Sequence, residues 1–72
     1  MIKQVELNIP TVFKKEPFFY NIIKNFKVIP SILEASFSTA TGWAIVSFQG
    51  SSKELTRLFD YLEKKGIEVK FR

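Results

Sequence analysis

A chain with neither cysteine nor histidine has few chemistries open to it, and both are absent from these 72 residues. Zinc sites and iron–sulfur clusters lose their thiolate and imidazole ligands, and the usual nucleophile–base pairs lose a partner, so no metal, no cofactor and no enzyme is expected. What remains for recognition is hydroxyls, amides, carboxylates, ammonium groups and aromatic rings. Two stretches gather them. TGWAIVSF, Thr41 to Phe48, places Trp43 on a strand-like alternation, where a planar ring could stack on a nucleobase. Lys14 and Lys15 stand beside the start of an apolar helical pattern, where free backbone N–H groups and the helix dipole favour an anion. Glu16 and Pro17 oppose that second reading, one by its own negative charge and the other by lacking a donor.

Size limits how such groups can be held. A domain this short buries roughly 60% of the surface its unfolded chain exposes, so nearly every large apolar residue is needed inside. Residues 1–72 are expected to form one domain, with 46% hydrophobic residues and eight Phe to fill its core. No apolar run approaches the ~18 residues of a membrane span, and MIKQVELNIP has no apolar core followed by a small-residue cleavage site. The chain therefore reads as a cytoplasmic protein without membrane insertion. Its net charge of +4 comes from eleven basic and seven acidic residues spread along the chain, a balance that permits nucleic-acid contact without arguing for it.

The elements follow from periodicity. VELNI alternates Val5, Leu7 and Ile9 with Glu6 and Asn8 as a half-buried strand, and Pro10 ends it. Pro17 suits the first turn of a helix whose Phe19, Ile22, Ile23 and Phe26 form one apolar face and which should end near Lys27 or Val28, before Pro30. SILEASFST reads as a second strand with Leu33, Ala35 and Phe37 on one face and Ile32, Glu34 and Ser36 on the other. The third, WAIVSFQ, sends Ala44, Val46 and Phe48 one way and Trp43, Ile45 and Ser47 the other. Ser51 and Glu54 have the form of a capping box, and Leu55, Leu58, Phe59 and Leu62 repeat the helical spacing. Gly66 suits a left-handed helix stop, and Ile67, Val69 and Phe71 alternate in a last strand. The order βαββαβ, with right-handed crossovers, predicts an α+β ferredoxin-like sandwich. Its four-stranded antiparallel sheet should run 4-1-3-2, with both helices on one face and the other face open.

RNA-recognition motifs share this topology, and Gly42, Trp43, Ala44, Val46 and Phe48 fit the consensus of their central strand. The outward positions do not. Ile45 stands where that consensus has Phe, the first strand offers Glu6 where an aromatic is expected, and Thr41 replaces the leading basic residue. Each base left without a ring forfeits roughly 1–3 kcal/mol, so nucleic acid is disfavoured as a partner. Ala44, Val46 and Phe48 are then simply core. Trp43 and Ile45, together with Ile32, are expected on the helix-free face, and an apolar patch there implies a covering protein partner.

Nearly the whole chain, Lys3 to Phe71, resembles the NIL domain. That module lies at the C-terminus of the ATPase subunit of bacterial methionine importers and is fused to some ferredoxins. The resemblance rests on VELNI, Phe26-Lys27-Val28, Ser31-Ile32-Leu33 in the place of the family's Asn-Ile-Leu, Gly42, Gly50, and Leu62-Glu63-Lys64-Lys65-Gly66-Ile67-Glu68-Val69. It implies a ligand-sensing module that pairs into a homodimer and binds methionine or a related amino acid. Pro30, Ser31, Ile32 and Leu33 would then form the ligand site: the Ser31 hydroxyl captures a polar group, and Ile32 and Leu33 meet the apolar side chain or the partner copy. Ile32, Trp43 and Ile45 would form the partner or dimer interface. Ser31 departs from the family's Asn and offers one hydroxyl in place of an amide. The chain shows no Walker A sequence, ATPase core or cluster cysteines, so it reads as a free-standing domain that regulates a separate ABC transporter or ferredoxin-type protein. A ligand-free adaptor docking through the open sheet face is the alternative, and single-stranded RNA binding the third.

Overall fold

A computed structural model describes residues 1–10, 17–38 and 42–72. Strand β1 (Ile2–Ile9) is followed by helix α1 (Phe18–Asn25), β2 (Val28–Phe37), β3 (Gly42–Gly50), helix α2 (Ser52–Lys64) and β4 (Glu68–Phe71). The sheet order β2-β3-β1-β4 is 4-1-3-2 read from the other edge, and all three pairings are antiparallel. This is the ferredoxin-like sandwich that the periodicity predicts.

The alternation works as expected in the two central strands. Val5, Leu7 and Ile9 of β1 and Ala44, Val46 and Phe48 of β3 are buried, and they meet Ile22 and Phe26 of α1 and Leu55, Leu58 and Leu62 of α2. Phe59 is half-buried and packs edge-on between Phe48 and Phe71, at 6.1 and 5.0 Å between ring centres. Ile23 departs from the expected helical face and is 55% exposed. Helix α1 has only eight residues, and Phe26 leaves it in an extended conformation (φ −133°, ψ 143°), its N–H donating to the Ile22 carbonyl. That early exit turns the Phe26 ring into the core and starts β2 at Val28, three residues before the expected Ser31. Pro30 therefore lies within a strand. An edge strand tolerates it because one side of its backbone makes no ladder bonds.

Both helices are fixed at their ends by local chemistry. Pro17 caps α1 through its carbonyl, which accepts from the Asn21 N–H, and its own missing N–H costs nothing there. At the start of α2 the Ser51 hydroxyl accepts from the Glu54 N–H, half of the expected capping box. The Glu54 carboxylate does not reach back to Ser51. It accepts from the Lys27 backbone N–H at 2.9 Å and pairs with Arg57, so it joins the first turn of α2 to the α1–β2 junction. The Lys27 N–H bond, then Arg57, hold the Glu54 carboxyl below its ordinary value of 4.5. At the other end Gly66 (φ +84°) takes the left-handed conformation. Its N–H donates to the Glu63 carbonyl and that of Ile67 to Leu62, a Schellman closure sealed by the buried Leu62 and Ile67 side chains.

Candidate ligand and partner site

Strand β2 is ten residues long, lies at the edge of the sheet and is exposed from Ser31 through Phe37. Its register against β3 decides what each candidate residue can do. Side chains directly opposite one another in a ladder share a face. Ser31 faces Ser47 and so stands on the open side, whereas Ile32 faces the buried Val46 and stands on the helix side. Between Ile32 and Glu34 the pairing skips a residue, and Leu33 is the extra residue of a β-bulge. Beyond it Glu34 faces Ile45 and Ser36 faces Trp43 on the open side, while Ala35 and Phe37 face Ala44 and Gly42 on the helix side.

The bulge corrects one expectation. Ile32 does not join Trp43 and Ile45 on the helix-free face, because a strict alternation from Ile32 to Ser36 fails where a residue is inserted. Trp43 and Ile45 are adjacent and half-buried there, and their cross-strand neighbours are polar: Asn8 and Ser36 beside Trp43, Glu6 and Glu34 beside Ile45. The far edge of this face carries the Arg72–Glu6 and Lys70–Glu68 pairs, at 3.3 and 3.4 Å, and Asn8 donates to Glu68. Glu6 thus occupies the outward position assigned from sequence. With Glu34 and Glu68 it sets three carboxylates against the two cations Lys70 and Arg72 on the open face around the Trp43 ring.

The larger apolar exposure lies along β2. Ile29, Ile32, Leu33 and Phe37 are each more than half exposed, and Ile23 of α1, the helix packed against this strand, is exposed as well. Pro30, Ser31, Ile32 and Leu33 are therefore contiguous on an uncovered strand edge, with the hydroxyl and the Ile32 side chain on opposite faces. Sequence reasoning passed over Ile29, Ile23 and Phe37. Phe37 carried a visible signal in Gly42, its cross-strand partner: a Cβ at Gly42 would collide with the Phe37 ring. Lys14 and Lys15, the candidates for an anion contact, lie outside the described residues.

The four-stranded antiparallel sheet with two helices on one face and a bulged, apolar edge strand defines a small α+β domain of the ferredoxin-like class. Within that class the chain belongs to the NIL domain family, whose model matches residues 3–70. Methionine import ATP-binding protein MetN of Helicobacter pylori is 34% identical over 58 residues, and the protein of the same name from Helicobacter acinonychis matches at the same identity. Each match covers 75% of this chain and 18% of the relative, so the chain spans less than a fifth of the length of those proteins. Among solved structures, the C-terminal domain of an ABC transporter ATP-binding protein from Enterococcus faecalis superposes with a TM-score of 0.80. The superposition covers 96% of this chain and 81% of that one at 19% identity, a likeness of fold. The resemblance drawn from the sequence landmarks therefore holds. No helix among the described residues is long and apolar enough to cross a membrane.

Proposed function

We propose that this chain is a non-catalytic regulatory module that forms a homodimer through β2 and binds methionine or a related amino acid there, acting on a transporter ATP-binding subunit or a redox protein. The observation that carries this reading is the exposure of β2: an edge strand with free backbone groups and four large apolar side chains. Edge strands that stay monomeric are usually short, charged or covered. This one has Glu34 as its sole charged residue, and its Pro30 and bulge limit the register in which a second copy can pair. Membership of the NIL family and the kinship with methionine import ATP-binding proteins support the choice of ligand class.

In this reading the Ser31 hydroxyl and the unpaired backbone beside the bulge receive the ammonium and carboxylate. The exposed aliphatic side chains of Ile32 and Leu33 receive the thioether. The open face is a poorer dock, since with Ile32 on the other side its apolar residues are split: the polar row Gln4, Ser47 and Ser31 separates Trp43 and Ile45 from the exposed Ile2 and Ile29. Its excess of carboxylates over cations also repels a phosphate backbone.

Calorimetric titration and thermal shift of the purified protein with methionine, cysteine and a short oligonucleotide test the proposal. Methionine is expected to raise the midpoint of unfolding, and Ser31→Ala to remove most of that shift. Silence with the amino acids, or binding that Ser31→Ala leaves intact, would reject the ligand site as placed. Salt-sensitive binding of the oligonucleotide alone would return TGWAIVSF to a role in base stacking.

A further inference from the structure

A groove of about 780 Å³ opens where the end of α1, the start of β2 and the first turns of α2 converge. Lys24, Lys27, Lys53 and Arg57 line it, with Glu54 as the single carboxylate. Four cations against one anion leave three net positive charges in one concavity, of the +4 carried by the whole chain. The Glu54 carboxylate is already engaged by the Lys27 N–H and by Arg57, whose guanidinium also lies 5.1 Å from the centre of the Phe26 ring. Among the described residues neither Lys27 nor Lys53 forms an ion pair, the Lys27 charge acting on Glu54 only at longer range, and the ammonium of Lys24 stands 5.9 Å from the centre of the Tyr20 ring. Three ammonium groups are thus left facing solvent around a concave surface, where low-dielectric walls focus their field.

We propose that this groove binds a small phosphate-bearing molecule carrying at least two negative charges. Three features select that chemistry. A single carboxylate is best matched by the planar fork of an arginine, and the fork here is taken by Glu54. The free donors are point charges on flexible stems, which suit the several oxygens of a phosphate or diphosphate. Ile23 and Ile29, both more than half exposed, line the groove, so an organic group attached to the phosphate has an apolar surface to lie on. The volume falls within the ~300–1,000 Å³ of small-molecule sites. The groove is separate from the outer half of β2, so occupancy here does not depend on the amino-acid reading.

The test is a heteronuclear NMR titration of the intact chain with pyrophosphate, ADP and citrate, repeated on Lys27→Ala/Lys53→Ala and on Lys64→Ala. Pyrophosphate and ADP are expected to shift amides at 24–29 and 51–57, with ADP also moving the side-chain methyl signals of Ile23 and Ile29. The double variant should weaken both by about tenfold or more, and Lys64→Ala by less than about twofold. All three lysines are exposed, so the fold should survive, and the spectrum of each free variant checks this directly. Shifts spread evenly over the lysines, an affinity unchanged in the double variant, or citrate binding as tightly as ADP would each overturn the proposal.

Discussion

Glu54 shows how one side chain comes to hold distant parts of a small domain together. As an N3 residue it was expected to close a capping box. It instead spans to Lys27, 27 positions earlier in the chain, because the early end of α1 brings an unpaired backbone N–H against the first turn of α2. Its carboxyl is held below the ordinary value, so its contribution to stability is complete above about pH 4.5 and is lost as pH falls through the lowered folded value. Glu54→Gln keeps an acceptor for the Lys27 N–H but removes the charge. The variant is expected to be less stable than the parent at about pH 7 and to lose less of its stability on acidification to about pH 3. Urea denaturation at the two pH values checks this, and parallel losses in parent and variant would mean that Glu54 does not sense pH.

At the scale of elements, β2 carries the functional argument. Its first half follows the simple alternation, with Val28 buried and Ile29 exposed on opposite faces, and the bulge at Leu33 then resets the phase. The reset keeps Phe37 over Gly42 and turns Glu34 and Ser36 to the open face, where an unbulged strand carrying Ile32 on its present side would have placed them among the helices. Ile32 is left as an exposed aliphatic group on the helix side, 53% accessible. Because it contributes little to the core, Ile32→Asp should leave the stability of the monomer within roughly 0.5 kcal/mol of the parent. It should nevertheless shift the sedimentation equilibrium from dimer toward monomer, since a carboxylate would be buried in the pairing. A dimer as tight as the parent's would locate the interface elsewhere on the molecule.

For the whole molecule, thirteen fully apolar buried residues make a single core among the described residues, and Phe48 is the largest of those with no accessible surface. A domain of this size has a stability of only about 5 kcal/mol or so. Removing a buried Phe side chain costs about 3–5 kcal/mol. Phe48→Ala is therefore expected to leave much of the population unfolded near room temperature, read as a collapsed midpoint in thermal denaturation followed by circular dichroism. If a partner copy or a bound ligand stabilises the fold by mass action, adding methionine should restore part of that loss in the variant.

The sequence by itself determined the order of elements, the strand order, the buried faces of β1, β3 and α2, and the family, because each depends on periodicity or on landmarks within a short window. Val5, Leu7 and Ile9 could hardly face anywhere but inward, and Gly66 could hardly fail to end α2. What only the tertiary structure decided were the consequences of a single inserted residue and of a helix cut short. Periodicity counts residues and cannot see a bulge, so Ile32 was placed on the wrong face until its pairing with Val46 was known. The early exit of Phe26 from α1 depends on the core position open to its ring. That one turn brings Lys24 and Lys27 against Lys53 and Arg57, residues whose separation along the chain gives no sign that they surround one groove.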